Sequence, residues 1–279
     1  MNKTASTIYL TGAFINILTL VFIKYLGINN LLKIDQIIFF RTLFAVILLT
    51  PFNINNIKSF KLENKHTFAL LLILGILASV DAYLWNIGLQ KVPVNNAMMM
   101  LFLSPIITAL LSRFILKETI KRNTKISFII NSFAVLSVYH FSFNKFNIGY
   151  LFLLSDLFIY GFTAILIKKL SSYSSDFLVF VRLLILLPIS FFIMKDIPIF
   201  NLKVLLFVAL ITFGYITERT LLTKAYQLTT ITSIQPLRYF NIVFSAGLSY
   251  LILGEKLSLW QVLGVVVIIG SGVLLRVRR

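Results

Sequence analysis

Apolar residues occur in long blocks along this chain, and short polar or charged segments separate one block from the next. Each block has about 20 residues, the length that an α-helix needs to cross a bilayer core of about 30 Å. Backbone groups in lipid must pair within the membrane, and the alternation of membrane strands is missing, so helices are predicted. Ten spans are predicted, at approximately Ser6–Leu26, Ile34–Phe52, Thr67–Leu89, Val94–Leu116, Thr124–Phe143, Asn147–Lys168, Phe177–Met194, Leu202–Ala225, Thr230–Leu253 and Leu259–Val277.

The composition indicates that lipid is the main solvent of the side chains. Of the 279 residues, 59% are hydrophobic and only 13% are charged. A soluble domain of this length would need far more polar surface. The first block lacks a small-x-small cleavage site, so a retained helix is predicted and not a signal peptide. The chain is therefore predicted to be an all-α integral membrane protein in a lipid bilayer.

The net charge of +17 does not indicate a nucleic-acid partner, because Lys and Arg lie mostly in the short connections between spans. Alternating the ten spans puts fourteen of these residues on the side of the amino terminus and seven on the other side. Cytoplasmic connections carry the excess of positive charge, so both termini are predicted to be cytoplasmic. The chain has no Cys, which excludes a thiolate nucleophile and a cysteine metal site.

An internal repeat divides the chain into predicted domains 1–145 and 146–279. Gln90 and Glu118 recur 137 residues later as Gln227 and Glu255, and the same offset aligns polar residues within the spans. Those aligned sets are Asp81 with Glu218, and Ser104, Thr108 and Ser112 with Asn241, Ser245 and Ser249. Five spans per repeat is an odd number, so the halves must enter the membrane from opposite sides. Two inverted five-helix repeats with a site between them are typical of secondary transporters.

The chain resembles the drug/metabolite transporter superfamily, specifically its ten-helix permeases with two EamA-type repeats. The resemblance rests on the motifs Phe39-Phe40-Arg41 and Phe180-Val181-Arg182 and on the fourth span from Ser104-Pro105 to Lys117-Glu118. Ile242 stands where the family often has Pro, and Lys117 stands where it often has Gly before the glutamate. The resemblance implies a metabolite carrier of the bacterial inner membrane, without identifying its substrate.

Three acids lie well inside predicted spans, where a charge costs about 2.5–3.5 kcal/mol on insertion scales. They are Asp81, Asp156 and Glu218, and they are the candidate proton carriers. Asp156 and Tyr160 stand one helical turn apart and form either a cavity wall or a helix-to-helix hydrogen bond. Glu218 is predicted either to have in the second half the role that Asp81 has in the first, or to neutralise a membrane arginine.

The third span carries a second group of candidates around Asp81. Trp85 follows one turn later, and Tyr83 and Asn86 belong to a parallel polar stripe. Asp81 is predicted to bind a cationic group or a proton, with the rings of Tyr83 and Trp85 stacking on the substrate. The alternative is that Asp81 pairs with a membrane arginine and fixes helix packing.

Arg238 and Asn241 in the ninth span are candidates for a substrate carboxylate, because a guanidinium binds a carboxylate through two parallel hydrogen bonds. Arg41 and Arg182 occupy equivalent repeat positions and are predicted to snorkel or to pair with loops. Glu118 and Glu255 are predicted to be structural acids at the membrane interface.

These features predict a secondary transporter that moves a small molecule such as an amino acid or derivative. No P-loop sequence is present, so a proton or an exchanged solute would supply the energy. The alternatives are an S-adenosylmethionine uptake carrier and an exporter of lipophilic cations. A membrane enzyme is disfavoured because His66 and His140 are the only histidines, so no catalytic residue, metal ligand or cofactor is assigned. The protein is expected to work as a monomer or homodimer.

Overall fold

The computed structural model of the protein describes residues 2–29, 31–59, 65–92, 100, 102–138, 147–198, 201–253 and 259–277. The described residues are helical apart from short connections. The helices are α1 (Lys3–Ile28), α2 (Ile34–Ser59), α3 (Lys65–Lys91), α4 (Ser104–Ile115), α5 (Arg122–Val138), α6 (Ile148–Lys169), α7 (Ser175–Ile193), α8 (Leu202–Leu228), α9 (Ile231–Ile234), a 3-10 segment (Gln235–Tyr239), α10 (Phe240–Leu253) and α11 (Leu259–Val277).

The ten predicted spans all correspond to helices in the described residues, and the architecture of an integral membrane protein is confirmed. Six of the described helices are both long and apolar enough to cross a bilayer, namely α1, α2, α3, α6, α7 and α8. Shorter apolar helices occur at Ser104–Ile115 and Val262–Ser271. The start predicted for the fourth span, at Val94, and the end predicted for the fifth, at Phe143, lie outside the described residues.

The ninth span is not the single helix that its hydropathy predicted. It consists of α9, the 3-10 segment and α10. Pro236 stands at the start of the 3-10 segment. Proline has no amide proton and its ring clashes with the preceding turn, which interrupts an α-helix.

The two repeats are intertwined, and the main helix contacts between them occur in symmetry-related pairs. The first helix of one repeat packs on the third helix of the other, as α1 on α8 and α3 on α6. The second helices pack on each other as α2 on α7, and the fifth helices do so as α5 on α11. This reciprocity is the packing expected of two inverted five-helix repeats.

Glycines allow close approach at two of these helix contacts. They are Gly12 in α1 and Gly149 in α6. A Cβ on Gly12 would lie 3.2 Å from Leu221 Cβ in α8, and one on Gly149 would lie 2.7 Å from Lys91 Cβ in α3. Small residues at such positions let membrane helices approach closely.

Hydrogen bonds join connections that the ten-span alternation places on one side of the membrane. On the amino-terminal side, the Glu118 carboxylate after α4 accepts from the amides of Ile231 (3.0 Å) and Thr232 (2.9 Å) at the start of α9. The Asn2 side chain donates to the Leu228 carbonyl at the end of α8. A carboxylate at a helix amino terminus satisfies free amides and complements the helix dipole.

The turn after α4 positions Glu118. Lys117 adopts the left-handed conformation with φ 56°, and the Glu118 amide donates back to the Ser112 carbonyl at 3.4 Å. Glycine is the usual residue for this conformation at the end of a helix, because a Cβ costs about 1–2 kcal/mol there. Lys117 therefore stores strain at the turn that supplies the cap of α9.

Replacing Gly149 by Ala should destabilise the protein by about 1–3 kcal/mol, because the new Cβ would crowd Lys91 Cβ at 2.7 Å. Thermal unfolding of the detergent-solubilised protein measures the change. Gly247→Ala is the matched control, because a Cβ on Gly247 meets no atom of the described residues within 4 Å. Equal melting temperatures for the two variants would contradict the proposed close packing of α3 and α6.

Replacing Lys117 by Gly should raise the free energy of unfolding by roughly 0.5–1 kcal/mol, since glycine adopts positive φ without a steric penalty. The comparison is Lys121→Gly in the same connection, where φ is not positive. If Lys117→Gly is no more stable than Lys121→Gly in thermal unfolding, the strain at Lys117 does not exist.

Candidate functional site

Charged side chains of both repeats meet in the middle of the helix bundle. This central cluster comprises Arg41, Asp81, Asp156, Arg182, Glu218, Arg219 and Arg238 with the tyrosines Tyr9, Tyr160, Tyr215 and Tyr226. Its charged members in α2, α3, α6, α7 and α8 lie seven or more residues from either helix end. At 1.5 Å per residue that is about 10 Å of helix, so the cluster lies near the centre of the bilayer.

Arg238 is held by neighbours from α4 and α6. Its Nη1 donates to the hydroxyl of Ser104, and its guanidinium lies 3.8 Å from the ring centroid of Tyr160. The Tyr160 hydroxyl is in turn 3.0 Å from that of Tyr226, whose ring packs near Tyr9 at 6.3 Å between centroids. The 3-10 segment thus inserts a cation into an aromatic setting that stabilises it.

Glu218 and Arg219 pair although they are neighbours in sequence. Arg219 Nε lies 3.1 Å from Glu218 Oε2, but the angle does not make a hydrogen bond, so this Nε stays unsatisfied within the described residues. Two guanidinium groups lie near the Tyr215 ring, with Arg41 at 4.3 Å and Arg219 at 5.2 Å from its centroid. Glu218 also interacts electrostatically with Arg182, which supports its predicted role of neutralising a membrane arginine.

The carboxyl groups of Asp81 and Asp156 lie close enough to hydrogen-bond with each other. A carboxylate is only an acceptor, so a hydrogen bond between the two acids would require a proton on one of them. Asp156 is 5% exposed, and it interacts electrostatically with Arg238 and Arg219. The pair joins α3 of the first repeat to α6 of the second and is a place where one proton can be held.

A narrow cavity adjoins the cluster between α6, α7 and α8. It is lined by Tyr160, Thr163, Ala164, Ile167, Arg182, Arg219, Leu222, Thr223 and Tyr226. Its free space of 10 Å³ admits about one water. Sites for metabolites have several hundred Å³, so this conformation has to rearrange before a substrate fits.

Several of the predicted site residues come together here and others do not. Asp81, Asp156, Tyr160, Glu218 and Arg238 all belong to the central cluster, as described above.

The Tyr83 hydroxyl is buried without a hydrogen-bond partner in the described part of the chain, and it interacts electrostatically with Arg41. The Asn241 Oδ1 atom is likewise buried and unpaired among the described residues. Trp85 packs against the apolar side chains of Val92 and Leu153, so its predicted stacking on a substrate has no support from its position. The side chain of Asn86 lies outside the described residues.

Sequence reasoning missed the roles of the repeated arginines and of several tyrosines. The prediction that Arg182 snorkels is wrong, since it is 7% exposed and lines the cavity. Arg41 likewise lies over Tyr215 and not at the interface. Their shared Phe-x-Arg-x-Leu motif was the available signal, because an arginine kept at both repeat positions suggests one common location. Tyr9, Tyr215 and Tyr226 carry no comparable pattern.

Comparison with known proteins agrees with this architecture. The sequence matches the EamA-like transporter family over residues 4–140 and 147–277. A solved structure described only as "Crystal structure of protein" is similar with a TM-score of 0.76 at 13% identity, covering 99% of each chain, and at that identity it shows the fold alone. No curated protein matches the sequence significantly. Because the family match extends over both halves, the chain belongs to the EamA-like transporter family of the drug/metabolite transporter superfamily.

Proposed function

We propose that the protein is a secondary transporter that moves a small metabolite, such as an amino acid or a derivative, by alternating access. The observation that carries this proposal is the central cluster, which draws charged residues from both inverted repeats to one place within the bilayer. Charges at that depth are costly and mark substrate or ion pathways. A site at the interface of inverted repeats is exposed to either side by rocking one repeat against the other.

The small size of the cavity favours a carrier mechanism over an open channel. Its space for about one water cannot pass a metabolite, so transport requires a change of conformation. The Asp81–Asp156 pair supports proton coupling, because it can gain or lose its shared proton as the cluster opens. Exchange of one solute for another is the competing mode of coupling.

The proposed setting is the bacterial inner membrane with both termini in the cytoplasm. Fourteen of the connecting Lys and Arg residues lie on the amino-terminal side against seven on the other, which supports this orientation. All residues of the central cluster belong to one chain, so a monomer is sufficient for the pathway, and a homodimer is the alternative.

Uptake by proteoliposomes of the purified protein tests the function. A labelled panel of amino acids, nucleosides and S-adenosylmethionine is offered with and without a proton gradient. Saturable uptake of one class is expected, with or without the gradient or after preloading with an exchange partner. The exporter alternative replaces this proposal if no compound of the panel is taken up under any of these conditions and expression raises cellular resistance to lipophilic cations.

Replacing Asp81 or Asp156 by Asn should flatten the pH dependence of uptake, because an amide cannot release a proton. Asp176→Asn, which changes an exposed acid in the first turn of α7, is the control and should keep the wild-type profile. Uptake is measured at a series of external pH values. If the combined variant Asp81→Asn, Asp156→Asn and Glu218→Gln retains pH-dependent uptake, proton coupling through these acids is wrong.

Polar contacts between the repeats fasten the side of the membrane opposite the amino terminus. Lys33 Nζ lies 2.6 Å from Asp196 Oδ2, and the Gln36 side chain donates to the Asp196 carbonyl at 3.1 Å. The Lys195 amide donates to Asp35 Oδ2 at 3.3 Å. These bonds join the α1–α2 connection and the first turn of α2 to the α7–α8 connection of the second repeat. Such a latch has to release whenever the carrier opens toward this side.

The Lys33–Asp196 pair gives the latch a defined pH dependence. Its hydrogen bond and charge hold the pKa of Asp196 below its usual value and raise the pKa of Lys33. The attraction is therefore complete at neutral pH, is lost as pH falls through the lowered Asp196 pKa, and is lost at alkaline pH above the raised Lys33 pKa. Both side chains are more than half exposed, so high salt should weaken the pair as well.

Asp196→Asn should increase access to the cavity from this side. Since the chain has no cysteine, Thr163→Cys provides a single reporter whose reaction with a membrane-impermeant thiol reagent can be timed. At neutral pH the thiol should react faster in the protein with Asp196→Asn than in the protein with the intact Lys33–Asp196 pair. Acid pH should remove the difference. Lys169→Gln, on the other side, is the control, and equal rates in all three proteins would contradict a latch.

A further inference from the structure

Hydrogen-bond donors dominate the polar lining of the cavity. Arg182 and Arg219 contribute guanidinium groups, and Thr163, Thr223 and the two tyrosines contribute hydroxyls. The other lining residues are Ala164, Ile167 and Leu222, so none of the described residues that line it carries a carboxylate. A guanidinium is only a donor, whereas a hydroxyl can donate or accept. The lining is therefore suited to a group that accepts hydrogen bonds.

The charges of the central cluster favour the same kind of ligand. Its described members include four guanidinium groups, of Arg41, Arg182, Arg219 and Arg238. Against them stand the three carboxyl groups of Asp81, Asp156 and Glu218. Four positive charges thus face at most three negative ones, which leaves a positive surplus where little water is available. An anionic group on the ligand would offset that surplus.

Two buried donors at the cavity have no partner among the described residues. They are the hydroxyls of Thr163, which is 6% exposed, and Thr223, which is 1% exposed. Arg219 Nε, also at the cavity, likewise has no hydrogen-bond partner among the described residues. A buried donor left without a partner costs roughly 1–3 kcal/mol. By contrast Thr212, also in α8 and fully buried, donates to the Val208 carbonyl at 2.7 Å.

We infer that this cavity, formed by Thr163, Arg182, Arg219 and Thr223, is the subsite for a carboxylate group of the transported substrate. The inference rests on the proposed transport function and names the chemistry of its ligand. It also moves the carboxylate site away from Arg238, whose guanidinium is already engaged by Ser104 and Tyr160. The carboxylate would enter when the cavity widens during the change of access, and it would occupy the free donors while offsetting the positive surplus.

A thiol-protection assay tests ligand chemistry without relying on transport. Ala164→Cys places one reactive thiol in the lining of this cysteine-free protein. The probes are L-methionine, L-leucine and S-adenosylmethionine, each compared with its carboxamide, and sn-glycerol 3-phosphate represents phosphate chemistry. At least one acid should slow labelling of the thiol, and its carboxamide should need about tenfold more ligand for the same effect, as expected for loss of a charge-assisted hydrogen bond.

Thr223→Val and Thr212→Val form a matched pair for the site itself. Both remove a buried hydroxyl from α8 with little change in shape, but only Thr223 lines the cavity. Thr223→Val should weaken protection by the acid about five- to tenfold, and Thr212→Val should leave it unchanged. Thermal unfolding and gel filtration of both variants verify that they are folded. If Thr223→Val misfolds, Thr223→Ser should retain the acid preference.

The outcomes separate this inference from the transport proposal. Acids and carboxamides that protect equally, or protection by glycerol phosphate alone, would overturn the carboxylate subsite. Uptake that persists in proteoliposomes with no preference for the acid would overturn the subsite and leave the transporter in place. Absence of both protection and uptake for every probe would overturn both proposals.

Discussion

The structure depends on keeping four guanidinium groups buried in an apolar bundle. An isolated arginine at the bilayer centre is unfavourable by about 2.5–3.5 kcal/mol on insertion scales, and that penalty is reduced when the charge meets carboxylates or aromatic faces. Glu218 forms an ion pair with Arg219. The guanidinium groups of Arg41 and Arg219 lie near the Tyr215 ring, and that of Arg238 lies near the Tyr160 ring. Glu218 and Tyr215 lie in α8 with Arg219, but Arg41 and Arg238 find their aromatic partners in other spans. The bundle therefore has to assemble correctly before those two charges are accommodated.

Helix packing supplies the framework for this arrangement. The reciprocal contacts of α1 with α8 and of α3 with α6 bring the third helix of each repeat against the first helix of the other. Asp81 and Glu218 occupy equivalent positions in those third helices. Because α3 also packs on α7 and α8 on α2, the repeated arginines of the second helices reach the same centre. The symmetry of the repeat thus produces a single shared site.

Hydropathy and charge bias are local properties that the bilayer enforces. Together with the 137-residue offset they predict ten helices in two inverted repeats. The same local information placed Asp81, Asp156, Tyr160, Glu218 and Arg238 inside the membrane. It could not predict which of them meet, because that depends on side-chain directions across helices that are far apart in sequence. The break in the ninth span at Pro236 was overlooked because the apolar block continues through it. Arg182 was assigned to the interface because an arginine near the start of an apolar block commonly snorkels.

The intertwined repeats also constrain how the protein is made. When α1 leaves the ribosome, its main partner α8 is still about 200 residues away, which is roughly 10–40 seconds of synthesis at 5–20 residues per second. During that interval the first repeat lies in the membrane with Gly12 uncovered and with Asp81 and Arg41 lacking their partners from the second repeat. The first half is therefore a folding intermediate that depends on the second half for completion, and premature termination would leave unpaired charges in the lipid for quality-control proteases to recognise.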